Sequence, residues 1–241
     1  MPDAIFADPR LAQMYDHLDA AERVDLDPYV AMVDEFAAHL VVDVGCGTGV
    51  LACRLAGLGK SVVGVDPAAA SLAVARRRPF AGRVRWICAA ASDLPTLGAD
   101  LAVMTGKVAQ VFLTDEDWSA TLAACRAALR PGGRLVFEVR DPAREAWRRW
   151  TRESSYRVVD VPAAGAVETW FDLVAVRLPL VSFRHTFVFR ADGAVLTSDS
   201  TLRFRSRDEV ADSLAAAGFT VEPVRDAPDR PGLELVFVAR R

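Results

Sequence analysis

Cysteine is scarce in this chain, with four among 241 residues. They stand at positions 46, 53, 88 and 125, never as CxxC, and no histidine lies at zinc-ligand spacing from them. Neither a structural metal nor a disulfide framework is implied. Histidine is scarcer still, with three. No apolar run approaches the length of a membrane span. The first residues, MPDAIFADPR, lack a basic segment followed by an apolar stretch. These absences lead to an expectation of a cytoplasmic protein with no membrane partner. An excess of one charge is also missing. The formal net charge is -3, and the arginines are interleaved with acids, so nothing draws the chain to nucleic acid. No repeat or low-complexity linker is present. Apolar residues, by contrast, make up 52% of the chain, ample for the core of one domain.

Residues 41–50 read VVDVGCGTGV. Leu40, Val41, Val42 and Val44 make a short buried strand, and Gly45, Gly47 and Gly49 follow at alternate positions. Leu51, Leu55 and Leu58 then recur at helical spacing, so a helix begins at about Gly49. Strand, glycine turn and helix open a nucleotide-binding α/β unit. The glycines admit backbone angles closed to other residues and let a ligand approach the main chain. The free N–H groups of the turn and helix face that ligand. A phosphate-binding loop would end in Lys-Ser/Thr, but Val50 and Leu51 follow here. A dinucleotide fingerprint would place its third glycine at position 50, where Val50 stands. The pattern is instead D-x-G-x-G-x-G, led by Asp43.

Along the chain, residues 8–39 read as helical, with a break near 25–28. Strands at 61–66, 84–89, 99–105 and 134–139 alternate with helices at 67–78 and 115–129, the latter capped by Thr114. This alternation predicts parallel β-α units. After a short polar helix at 144–152 the pattern changes. Residues 156–161, 166–177, 180–190 and 194–205 read as strands with only turns between them, an antiparallel sheet. Ser206 and Glu209 form a capping box for a helix ending at Gly218. Residues 219–225 and 233–239 are a final strand pair. The expectation is α/β: a seven-stranded, mainly parallel, doubly wound sheet with an inserted antiparallel sheet. It is one domain over 1–241, comprising a helical flap (1–39), a core (40–153), the insertion (154–205) and a closing helix and strand pair (206–241).

Residues 41–139 resemble the class I S-adenosylmethionine-dependent methyltransferases of the small-molecule type. Four motifs stand in that family's order. They are VVDVGCGTGV, VVGVDPAAA with Asp66 at the end of the second strand, CAAASDLP with Asp93 after the third, and LRPGGRLVFE entering the fifth. The resemblance implies a Rossmann-like fold, S-adenosyl-L-methionine as cofactor, and a set of contacts. Gly45, Cys46, Gly47 and Gly49 would make room for the methionine part, and Asp43 would hold the loop or the ammonium. Asp66 would accept from both ribose hydroxyls. Pro67 and Leu94 would sandwich adenine, and Ser92 and Asp93 would border it, Asp93 accepting from the exocyclic amine. Thr105 and Gly106 would meet the methionine portion through the backbone. Tyr15, beside Asp16 in the flap, would cover the ligand. Plainer readings stand beside these: Asp66 as a helix cap, Asp93 as a turn residue, and the flap as surface packing.

On the acceptor side, Lys107 and Gln110 would face the substrate, as would Arg140, which could otherwise pair with Glu138 or Asp141. In the strand at 180–190, alternation puts Phe183, His185, Phe187 and Phe189 on one face. Such a face would bind a flat acceptor, with His185 as a base near neutral pH. It fits equally a sheet packed on the domain, with His185 bonded to a neighbour. Trp147, Trp150 and Trp170 are candidates for the pocket wall. In related enzymes such an inserted sheet closes the active site, and in some it serves a homodimer. The expected activity is methyl transfer to oxygen or nitrogen of a small molecule, not nucleic acid. The rivals are a non-catalytic relative that only binds the cofactor and an NAD-dependent oxidoreductase.

Overall fold

The computed structural model describes residues 2–18, 23–162 and 164–241. The N-terminal segment carries α1 (Ala4–Ala7), α2 (Pro9–Met14) and a 3-10 turn (Tyr15–Leu18). The helical reading of 8–39 starts where expected, at Asp8, whose carboxylate accepts from the N–H groups of Arg10 and Leu11 and caps α2, but it breaks earlier than expected, after Met14, where the 3-10 turn begins. Part of that reading, residues 19–22, lies outside the described residues. Helix α3 (Asp27–Glu35) starts with Pro28 in its first turn.

The main sheet then builds as β1 (Leu40–Val44), α4 (Val50–Gly57), β2 (Ser61–Val65), α5 (Ala69–Ala75), β3 (Val84–Ile87), β4 (Ala99–Met104), α6 (Asp115–Ala128) and β5 (Leu129–Arg140). Thr114 caps α6 by accepting from the Asp117 N–H at 3.0 Å. After the short α7 (Arg152–Ser155) come β6 (Arg157–Val161), β7 (Gly165–Arg177), β8 (Leu180–Phe189) and β9 (Val195–Arg203). These four pair antiparallel in chain order as a separate sheet. Helix α8 (Arg207–Ala216), with its Ser206–Glu209 capping box, leads to β10 (Thr220–Val221), β11 (Arg225–Asp226) and β12 (Glu234–Arg240).

Strand order in the main sheet is β10-β12-β5-β4-β1-β2-β3, with β11 also pairing β12. The expected seven positions are present, but the strand read over 219–225 is split into β10 and β11. Pro223 lies between them and has no N–H to give the ladder. β1, β2, β3, β4 and β5 run parallel, and β12 is antiparallel to β5. The order reverses between β1 and β4, where α/β sheets open a crevice beyond the strand ends.

Both faces of the sheet are covered, as its near-continuous apolar strands require. Leu122, Phe137, Leu214 and Phe237 lie in one layer, and Met32, Val33, Leu51, Leu55 and Val136 in the other. The second sheet has a smaller core of its own, in which Ile5, Leu11 and Met14 from the N-terminal segment pack against Val167, Phe187 and Phe189. That segment therefore bridges the two sheets. No helix among the described residues is long and apolar enough to cross a membrane.

Candidate functional site

A cavity of about 1020 Å³ opens at the switch point. Its floor is the glycine turn after β1. Gly47 has φ +52, and a Cβ built on it would meet nothing within 4 Å, so its bare backbone faces open space. Gly49 does a different job. A Cβ there would come within 2.6 Å of Trp86 and 2.8 Å of Ala75, so this glycine lets α4 approach β3 and α5. It is not among the lining residues.

Two carboxylates stand behind the turn. Asp66, at the end of β2, accepts from the Gly47 N–H at 2.8 Å and from the Ala68 N–H at 2.7 Å. It therefore fastens the glycine turn and caps the next segment, with one oxygen committed to each. Burial raises its pKa, against those two N–H bonds. Asp43 is buried within β1, and its Oδ1 has no hydrogen-bond partner. Burial, then the charge of Asp66, pushes its pKa up to about 7. An unpartnered buried carboxylate oxygen is costly, and here it borders a cavity.

Of the residues expected at a cofactor, Tyr15, Asp43, Gly45, Cys46, Gly47, Asp66, Pro67, Ser92, Thr105 and Gly106 line this cavity. Gly49, Asp93 and Leu94 do not. Asp93 is exposed and Leu94 belongs to the main core, so the wall after β3 consists of Ala90, Ala91 and Ser92. Asp93 closes the short 3-10 turn Ala91–Asp93 and lies outside the cavity lining. The adenine sandwich expected from Leu94 is not formed by this placement.

The acceptor-side expectations fare worse. Lys107 is turned from the cavity, its ammonium 3.3 Å from Glu234. Gln110 is buried and accepts from the Arg140 N–H and guanidinium, each at 3.3 Å. Arg140 lies over the Trp150 ring, its pKa lowered by burial. Trp170 donates to Asp172 and carries the Arg152 guanidinium on its face. Trp147 packs edge-on against Phe204.

His185 sits between Phe171 and Phe187, with ring centroids 4.0 and 4.1 Å away, and its Nε2 is 2.5 Å from Thr169 Oγ1. Burial, then the charge of Arg157, lowers its pKa to about 3. It does not border the cavity, so the geometry withdraws it as a base. An alternating aromatic strand buries its histidine as readily as it presents it.

Of the aromatic face read over 180–190, Phe183 lines the outer half; sequence reasoning missed the rest of that lining. Ser182, Arg184, Ser200 and Thr201 come from β8 and β9, Val108 and Phe112 follow β4, and Phe6 belongs to the N-terminal segment. The segment is fastened to β9 of the antiparallel sheet and to α5 of the main domain. The Ile5 N–H donates to Ser198 Oγ at 3.0 Å, and Ser71 Oγ donates to the Phe6 carbonyl at 2.9 Å. Asp16 accepts from Thr48 Oγ1 in the glycine turn and pairs with Arg78. The Phe6 and Tyr15 rings, 5.3 Å apart, lie on the cavity side of this strap. Only Asp16 beside Tyr15 offered a signal in the sequence.

Residues 41–133 match the family model described as a methyltransferase domain. A ubiquinone biosynthesis O-methyltransferase from Bradyrhizobium sp. is 33% identical over 99 residues, 40% of this chain and 38% of that relative. The chain thus spans well under half the length of that curated relative. Among solved structures, the CcbJ methyltransferase from Streptomyces caelestis superposes with a TM-score of 0.77 at 19% identity, over 95% of each chain. An S-adenosylmethionine-bound amino pentose methyltransferase from Micromonospora echinaspora gives 0.68 at 23% identity, over 90% of this chain and 91% of that one.

Proposed function

We propose that this chain, whose residues 41–133 are a methyltransferase domain set in a methyltransferase fold, moves a methyl group from S-adenosylmethionine to an oxygen or nitrogen atom of a small molecule. The observation that carries this reading is the unpartnered Asp43 oxygen beside an open glycine turn. A ligand with a cationic, hydrogen-bonding end satisfies that oxygen, and a narrow zwitterionic chain fits over Gly47. The residues present thus fit the cofactor. Gly45, Cys46, Gly47, Thr105 and Gly106 would border its amino-acid end, Asp66 its sugar, and Pro67, Ala90, Ala91 and Ser92 its base.

When bound, the cofactor supplies a sulfonium that is already a good leaving group. The chain's own task is to hold an acceptor in line and keep water out. The N-terminal strap and the antiparallel sheet serve as covers. Phe112, Val108 and Phe183 give the acceptor half apolar walls, and Ser182, Ser200 and Thr201 give it hydroxyls. A crevice of this size suits a small acceptor better than a polymer. The curated relative named for an O-methyl transfer and the neighbour named for an amino pentose support oxygen and nitrogen acceptors alike.

Calorimetry with S-adenosylhomocysteine and with NADH tests the cofactor. Micromolar binding of the first and none of the second is expected. Binding of NADH alone, or of neither, would sink the reading. Transfer of labelled methyl groups onto a panel of small alcohols and amines then separates an enzyme from a protein that only binds the cofactor.

A further inference from the structure

We infer that Glu138 is a positioning residue: its carboxylate clamps the turn after β4 and thereby sets the cavity wall at Thr105 and Gly106. The inference rests on the methyltransferase reading above. Glu138 lies near the end of β5, is 3% exposed, and does not border the cavity. Its Oε1 accepts the Lys107 main-chain N–H at 2.8 Å, and its Oε2 accepts the Tyr29 hydroxyl from α3. Strand pairing alone calls for no carboxylate at this position, and a buried one is costly unless its oxygens are met.

What the clamp holds is an unfavourable backbone. Lys107 has φ 68 and ψ 26, in the left-handed region that L side chains rarely adopt. Gly106 before it has φ +70. Two successive left-handed residues turn the Lys107 N–H inward, where Glu138 meets it. The Lys107 ammonium is engaged elsewhere, by Glu234. The wall on the other side of this turn is bare, since a Cβ on Gly106 would meet nothing within 4 Å. Next along, Val108 packs against the glycine turn so closely that a Cβ on Gly45 would lie 2.5 Å from its Cγ2. A shift of the turn therefore moves both walls of the crevice.

A glycine at position 107 reaches the same backbone angles without help, which gives the test. Binding of S-adenosylhomocysteine is measured by calorimetry in the full chain and in Glu138→Leu, Lys107→Gly and the double variant, with melting temperatures alongside. Leucine leaves the Lys107 N–H and the Tyr29 hydroxyl without an acceptor. Glu138→Leu should bind at least tenfold more weakly while remaining folded, and the double variant should recover at least threefold. A residue that only supports the fold would lower the melting temperature without this rescue. Unchanged binding in Glu138→Leu, or recovery of less than threefold, overturns the inference and leaves the cofactor reading intact. No binding by the unaltered chain overturns both. If Glu138→Leu does not fold, hydrogen exchange in the unaltered chain decides. A Lys107 amide protected, and slowed further by S-adenosylhomocysteine, supports the clamp, whereas fast exchange at that amide overturns it.

Discussion

The two halves of the crevice are built by different means. The inner half is main chain and carboxylate: a glycine turn, two acids at or near strand ends, and N–H groups already fixed by Asp66. All of it comes from within a short stretch of consecutive β-α units. The outer half is assembled from side chains far apart in sequence, as the bond between Ile5 and Ser198 shows. A backbone-built site tolerates little change, because its geometry is the fold itself. A side-chain-built cover can vary while the sheet beneath it stands.

The sharpest way to break that contrast is at Gly49. Alanine there adds a Cβ within 2.6 Å of Trp86, whose indole N–H is tied to the Ala81 carbonyl, at a backbone φ of +77. The ring has little room to give. Gly49→Ala should cost about 2–4 kcal/mol of stability, combining overpacking with a left-handed alanine. Denaturant unfolding measures it. A loss under about 0.5 kcal/mol would mean that the inner half is more plastic than the packing implies.

Asp66→Ala comes next. It removes the acceptor from two N–H groups, one of them in the turn that borders the ligand. S-adenosylhomocysteine should bind more weakly by about 1.5–3 kcal/mol. Equal affinity in the variant would take Asp66 out of the site.

Asp43 sharpens the contrast through pH. Its folded pKa is raised to about 7 from an ordinary 3.8, so it destabilises the ligand-free fold as pH rises between those values and the acid loses its proton. A cationic ligand end favours the ionised form. Binding below pH 7 must therefore release that proton, and affinity should fall by up to about tenfold from pH 7 to pH 6. Calorimetry in buffers of different ionisation heat would report proton release at pH 6 and little at pH 8. A flat profile would mean that Asp43 meets no cation.

The same contrast explains how far the sequence could be read. The periodicity that alternates strand and helix over 40–139 reflects burial on both sheet faces, so the parallel order and the glycine turn were legible. The four antiparallel strands and the Ser206–Glu209 box were legible for equally local reasons. Asp93 was not, because a single 3-10 turn decides which of residues 90–93 faces inward. Nor was Glu138, whose partners Tyr29 and Lys107 lie 109 and 31 residues away. His185 shows the limit most plainly. Strand alternation assigns it a face, but it does not show that Phe171, Phe187 and Thr169 close around the ring there while Phe183 on the same face reaches the cavity.

The smallest effect expected is at the strap, and it bears on the outer half alone. Asp16 joins Thr48 and Arg78, so Asp16→Asn keeps a hydrogen-bond acceptor but removes the charge that the guanidinium faces. Both side chains of the ion pair keep about a quarter of their surface exposed, so solvent screens it and the loss is modest, about 0.5–1 kcal/mol. A strap that covers the ligand would pass that loss to the exit step. S-adenosylhomocysteine should leave a few-fold faster, with its association rate little changed, and stopped-flow displacement reads both. Combined with Asp66→Ala, the two losses should depart from additivity, because Asp66 holds Gly47 and Asp16 holds Thr48, neighbours in one turn. An unaltered dissociation rate would make the N-terminal segment ordinary surface packing and leave the antiparallel sheet as the cover.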